Sequence, residues 1–286
     1  MEKFYRFAGL ELAVCADEAL MYVQDRHLAP FRVSAVTDPH RFTFTVVDAL
    51  TPPASESVFN GGGFRVYEEG SAQVRYMGAV AQSWEQAYMR AEHGGKDHRV
   101  QLLQSQFPGR VSTHMVLTAL AAERLIAENG GFLLHCSYII YNNKAILFTA
   151  PSGTGKSTQA DLWQQLRGAK IVNGDRAAVL LTPQGILAGG IPFAGSSQYC
   201  ENVTAPLAAI VCLSQAAHTT IRRLKGLEAF RLLWEGISAN VWDKPHLEKI
   251  SAAAGQVATE IPMYYLPCPP DESAVLALEQ ALKAQV

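Results

Sequence analysis

The chain has 286 residues, of which 49% are apolar and 17% charged, with a formal net charge of −2. That is enough apolar chain for one large domain or two ordinary ones, and the near-neutral charge, without a basic stripe, argues against general nucleic-acid binding or attraction to anionic lipid. No run approaches the roughly 20 apolar residues of a membrane span. Glu2 breaks the positive charge that a signal peptide carries, and no apolar core follows it. Cys15, Cys136, Cys200, Cys212 and Cys268 form no C-x-x-C pair and no metal-ligand spacing, as reduced thiols would be scattered. These features predict a cytoplasmic protein with neither nucleic acid nor membrane among its partners.

The first 110 residues read as a β-rich domain. Phe4 and Leu10 to Val14 lie in short apolar runs broken at Gly9. Arg41 to Val46 alternates with the period of a half-buried strand, which Thr51-Pro52-Pro53 closes. Gly61-Gly62-Gly63 reads as a turn, because no helix follows it to complete an anion site. Phe64 to Tyr67 and Gln73 to Met77 flank Glu69-Gly70-Ser71, which predicts a hairpin. Gln82 to Ala91 reads as a short helix and His93 to His98 as an exposed loop. Ser112 is placed to cap a helix running to about Glu128, with Val116, Leu120, Leu125 and Ile126 on its buried side. The domain boundary is placed at 110/111.

From Gly131 the pattern changes to α/β, helices flanking a sheet. Phe132 to Tyr141 is a predicted strand, turned at Asn142-Asn143 into an apolar strand at Ala145 to Thr149. A helix follows from Lys156 to about Leu166, then strands at Lys170 to Val172, Ala177 to Leu181 and Ala208 to Leu213. Leu227 to Glu235 and Lys244 to Glu260 read as helices, and Asp271 caps a last one after Pro269-Pro270.

The chemistry concentrates between the apolar strand and the first of these helices, at Ala150-Pro151-Ser152-Gly153-Thr154-Gly155-Lys156-Ser157-Thr158. Strand, glycine loop and helix follow in the order that a phosphate loop requires. Gly153 and Gly155 let successive N–H groups turn toward one anion. The helix beginning near Lys156 adds the positive end of its dipole. Lys156 can reach the terminal phosphates as a point charge, and Ser157 presents a hydroxyl to Mg²⁺. The usual pattern opens with glycine where this chain has Ala150, which a turn of negative φ accommodates.

Leu134 to Ile139 before the loop, Asn173-Gly174-Asp175-Arg176 after the next strand, and Gly190 to Gly195 beyond them resemble HPr kinase/phosphorylase and, more distantly, ATP-dependent phosphoenolpyruvate carboxykinase, over roughly residues 130 to 225. After the β-rich N-terminal domain, 1–110, the resemblance implies a P-loop domain of that fold, 111–286, with a mixed sheet and flanking helices. It implies ATP or another phosphate donor, Mg²⁺, and phosphoryl transfer to a hydroxyl-bearing acceptor: a protein, a peptide or a small metabolite. The family carries a histidine at the spacing of His135 and an acidic pair where this chain has the single acid Asp175. Asp175 matches either member of that pair, so it holds the metal with Ser157 or handles the acceptor proton. The family's kinases assemble as hexamers, which puts a homo-oligomer among the implied states, although the first hundred residues do not resemble that family's N-terminal domain.

Read as residues, His135 is a proton-exchanging group or a core histidine bonded to a carbonyl. Glu201, in the polar stretch Gly195 to Asn202 that includes Ser196 and Ser197, supplies the missing metal ligand or lies on a surface loop. Arg176 can neutralise charge beside Asp175, and of Arg222 and Arg223 at most one can point inward. Cys200 has no identifiable partner for nucleophilic work. The leading expectation is an ATP-dependent kinase with Asp175, His135, Lys156 and Arg176 at its centre. The alternative is an inactive nucleotide-binding switch that acts on a partner through its N-terminal half.

Overall fold

A computed structural model describes the chain except residues 18–19, 21–26, 79–82, 108, 196–197 and 285–286. Packing divides it into two units, Met1–Arg6 with Leu10–Ala121, and Phe7–Gly9 with Ala122–Val286.

The first unit is built on strands β1 (Glu2–Phe7), β2 (Leu10–Cys15), β3 (Arg32–Val33), β4 (His40–Val47), β5 (Ser57–Gly61), β6 (Phe64–Glu69), β7 (Ala72–Gly78), β8 (Ala87–Gly94) and β9 (Asp97–Leu103). Among the described residues they form one sheet in the order β3-β1-β2-β4-β9-β8-β7-β6-β5. The period of two in β4 is real: Phe42 and Phe44 are buried while Thr43 and Thr45 face outward. Gly70, at φ +64°, turns β6 into β7.

Two expectations fail in this unit. The helix at Gln82 to Ala91 is not there: Gln82 lies outside the described residues, Trp84–Gln86 makes one 3₁₀ turn, and β8 begins at Ala87. Ala87, Met89, Ala91 and His93 alternate inward, so pairing with β7 and β9 overrides local helical preference. The exposed loop at His93 to His98 is a tight hairpin instead. Gly95, at φ +56°, makes the turn, and His93 and His98 face each other across the ladder at 1% exposure each.

Helix α1 (Thr113–Leu120) is capped as expected, with Ser112 Oγ accepting from the Met115 N–H at 3.3 Å. The single helix expected from Ser112 to Glu128 breaks at Ala121, a left-handed residue at φ +48°, and resumes as α2 (Ala122–Glu128). The division between the units falls at this break, after α1, where the sequence boundary lay at 110/111.

The second unit contains β10 (Gly131–Tyr141), β11 (Lys144–Thr149), α3 (Lys156–Arg167), β12 (Lys170–Asn173), β13 (Arg176–Thr182), β14 (Gly185–Gly189), β15 (Thr204–Gln215), β16 (Arg222–Leu224), α4 (Gly226–Trp234), α5 (Lys244–Glu260), β17 (Met263–Cys268) and α6 (Glu272–Lys283). Among the described residues the strands run β11-β10-β13-β14-β15-β17-β16, with β12 beside β10 and β11 also paired to β15. Strands β10, β13, β14, β15 and β11 therefore close on themselves. β15 is parallel to both β11 and β17, and the remaining pairs are antiparallel. Strands β14 and β17 were not anticipated.

The sheet is covered on both faces, as an α/β fold requires. Ala145 and Leu147 of β11 pack with Leu233, Ile250 and Val257 of α4 and α5. The alternate residues Ile146 and Phe148 pack with Trp163 of α3 and Leu278 of α6. This is why β11 reads as a continuous apolar run rather than an alternating one. Asn142 and Asn143, at φ +49° and +60°, form the two-residue turn that locks β10 and β11 in register. Among the described residues no helix is long and apolar enough to cross a membrane.

Candidate functional site

The β10–β11 hairpin sets Cys136 opposite Thr149, and β15 sets Cys212 on the other side of Thr149. Thr149 Oγ1 donates to the His135 carbonyl at 2.9 Å, fixing the point where the chain leaves the sheet. The loop then runs from Ala150 to Gly155. Gly153 and Gly155 have φ of +77° and +114°, which disfavour any side chain, and a Cβ on either would meet nothing within 4 Å. The left-handed backbone, not crowding, requires glycine here, and the space before both glycines is open. Ala150 is not among the residues with positive φ, so alanine is tolerated where the usual pattern has glycine. The first bond of α3 runs from the Gln159 N–H to the Gly155 carbonyl at 2.9 Å. The preceding amides of the first turn, at Lys156, Ser157 and Thr158, are left without acceptors within the helix.

Lys156 is buried at 7% exposure, and its Nζ donates to the carbonyls of Ala150 at 2.9 Å and Pro151 at 3.2 Å. Burial holds its pKa below the ordinary lysine value, while Cys136 and Asp175 act the other way. Pro151, Ser152, Ser157 and Thr158 are exposed around it, and Thr154 is half-buried.

His135 lies opposite Arg176 in the β10–β13 ladder. Its ring is 38% exposed, with Nε2 3.9 Å from Asp175 Oδ1. Burial lowers its pKa first, and Lys156 and Arg176 lower it further, against the opposing pull of Asp175. The imidazole is therefore neutral at neutral pH and exposed enough to exchange a proton. Asp175 Oδ2 accepts from Arg176 Nε at 3.3 Å, and Arg176 Nη1 donates to Ser238 Oγ at 3.1 Å.

Asn173 fixes this arrangement, and the sequence reading gave it no role. Fully buried, it accepts with Oδ1 from the N–H groups of Asp175 and Arg176 at 2.8 and 3.0 Å. Its Nδ2 donates to the carbonyls of Ile191 and Phe193 at 3.0 and 2.7 Å. One amide thus ties the turn carrying Asp175 to the segment Gly190 to Gly195. At the end of that segment a Cβ on Gly195 would come within 3.0 Å of Asp175 Cβ. The signal for Asn173 was a polar residue ending the apolar run Ile171-Val172. Gly236 is a second omission. Its carbonyl accepts from the His135 N–H at 2.8 Å, and a Cβ there would come within 2.6 Å of Thr149 Oγ1.

Other predicted residues stand apart from this centre. The Glu201 carboxylate pairs with Lys170, at the opposite end of β12 from Asp175. Ser196 and Ser197 lie outside the described residues. Cys200 is buried, with Sγ donating to the Ile191 carbonyl. Arg222 pairs with Glu228 and lies over the Tyr265 ring. Among the described residues no three His, Cys, Asp or Glu side chains are grouped to hold a metal.

Among the described residues, cavities meet the loop at both of its ends. One of about 320 Å³ meets its beginning and is lined by His135, Thr149, Pro151, Cys212, Glu235 and Tyr265. The other, of about 340 Å³, meets its end and the start of α3.

The sequence matches no protein-family profile and no curated protein. Among solved structures it matches the HPr(Ser) kinase/phosphatase from Coxiella burnetii, at 12% identity, over 54% of this chain and 99% of that one, with a TM-score of 0.32.

Proposed function

We propose that this chain is a kinase that binds ATP, or another phosphate donor, with Mg²⁺ and transfers a phosphoryl group to a hydroxyl of a protein, peptide or small metabolite. One observation carries the reading: the buried Lys156 ammonium sits at a loop held open by two left-handed glycines, with His135 and the Asp175–Arg176 pair nearby. Loop amides and the first turn of α3 offer donors to a polyanion. Lys156 exchanges its loop carbonyls for phosphate oxygens, a stronger, charge-assisted partnership. Ser157 and Asp175 are the residues that would hold Mg²⁺, which when bound would supply positive charge to the phosphates. His135, neutral at working pH, takes the proton of the attacking hydroxyl. Arg176 offsets charge that develops beside Asp175. In phosphoryl transfer, such positioning and charge balance are most of the catalysis.

The test is transfer from γ-labelled ATP across a panel of protein and small-molecule hydroxyl acceptors, for the wild type and Lys156→Ala. Labelling that the variant loses supports the proposal; equal labelling by the variant overturns it. A nucleotide-binding switch without transfer is the second reading. It is favoured by Asp175 being engaged by Arg176 and Glu201 by Lys170. Tight Mg·ATP binding without consumption across the whole panel selects it.

A further inference from the structure

The cavity at the beginning of the loop holds charge of one sign. Glu235, at the C-terminal cap of α4, is the only carboxylate in its lining. Cys212 lines the same space, and its thiol is pushed up to about 12, first by burial and then by Glu235 and Glu228. The Glu235 carboxylate is thus felt inside the cavity. Arg222 lies over the Tyr265 ring, but its guanidinium donates to both carboxylate oxygens of Glu228, at 2.6 and 2.8 Å, and so balances that residue instead. Among the described residues Glu235 has no ion-pair partner. His135 is neutral at working pH, and the C-terminal end of the α4 dipole adds further negative potential.

Such a space repels a polyphosphate and attracts a cation. It therefore suits the other substrate of a kinase better than the phosphate donor. Its size and layout narrow that substrate. The volume is about 320 Å³, at the low end for ligand cavities, which admits a small molecule and not a folded acceptor segment. The Gly236 carbonyl accepts from the His135 N–H at 2.8 Å. Glu235 is the residue before Gly236, one Cα step of about 3.8 Å away. Carboxylate and imidazole thus spring from neighbouring stretches of backbone, and a molecule of a few bonds can reach from one to the other. Leu213, Leu232 and Pro151 supply apolar wall for its carbon chain.

We infer that this cavity receives the phosphoryl acceptor, and that the acceptor is a small amino alcohol whose ammonium group donates to the Glu235 carboxylate while its hydroxyl lies toward His135. The inference rests on the kinase reading above and narrows its acceptor to one class. The hydroxyl oxygen forms the new bond to phosphorus, the bond from that phosphorus to the donor's leaving oxygen breaks, and the hydroxyl proton passes to His135. Glu235 is a specificity residue, without a part in the bond changes.

The test compares ethanolamine and 3-amino-1-propanol with ethylene glycol and 1,3-propanediol, which keep the chain length and replace the ammonium by a hydroxyl. Affinity for the full chain is read by ligand-observed NMR without nucleotide, and transfer from γ-labelled ATP gives KM. Each amino alcohol should bind about tenfold more tightly than its diol, the worth of one charge-assisted hydrogen bond, and should be labelled with a KM lower by a similar factor. Glu235→Gln, equal in size but uncharged, should bring the paired affinities together, and Glu235→Asp should restore part of the difference. The wild-type series requires no variant to fold. Equal affinity for amine and diol, or discrimination that survives Glu235→Gln, overturns the inference. If that happens while other hydroxyl acceptors are labelled, it falls alone and the kinase reading stands. Discrimination that depends on Glu235, without label reaching any acceptor, overturns the kinase reading and the acceptor role with it.

Discussion

His135 takes its character from its surroundings. Burial of the ring depresses its pKa, and the Lys156 ammonium lies close enough to depress it further. The sign matters for activity. A depressed pKa means that the neutral, proton-accepting form already dominates at the ordinary histidine value of about 6.5. Transfer should therefore hold constant from pH 8 down past that value and decline only below it. His135→Gln should cost about 10²- to 10⁴-fold in rate and abolish the acidic limb. A rate that climbs with pH between 6.5 and 8 contradicts the assignment. Asn173 is the positioning residue beside them. Asn173→Ala removes four hydrogen bonds from a fully buried site and orphans their backbone partners. A loss of about 2–4 kcal/mol in denaturant unfolding is expected, at roughly 1–3 kcal/mol for an orphaned group. Transfer should fall further than the fraction of folded protein, because Asp175 loses its support.

Elements built from local chemistry were the ones the sequence disclosed. The Asn142-Asn143 turn alone fixes the hairpin register, and that register brings residue 135 to the base of the loop that follows residue 149. The loop itself was legible because Gly153, Gly155 and Lys156 act through their own backbone and side chain. Asn173 was not, since its partners at Ile191 and Phe193 come from a segment whose path no local signal gives. The break at Ala121 has neither glycine nor proline to mark it. Strand β8 was misread because its alternation was judged by residue preference instead of by the pairing that surrounds it. Gly236, at the end of α4, carries a prediction at this scale. Gly236→Ala would press a methyl into Thr149 Oγ1 and Leu134. Overpacking of this kind costs about 1–3 kcal/mol, and the displaced threonine should weaken nucleotide binding as well. Unchanged stability and affinity would show that this approach can relax at no cost.

At the scale of the whole molecule, the second unit supplies a sheet covered on both faces, with the loop at the carboxyl end of β11. A rigid base of this kind lets a loop hold its shape before a ligand arrives. The account's central claim is that this loop, with Lys156, receives a polyphosphate. The most direct measurement is calorimetric titration of the full chain with Mg·ATP, run in parallel on Lys156→Ala and accompanied by thermal unfolding. Saturable binding by the wild type is predicted, with a stability gain of about 2.7 kcal/mol at a hundredfold excess over Kd, and both effects should be lost in Lys156→Ala. Absence of heat and of any stability gain in the wild type, or equal binding by the variant, would contradict it.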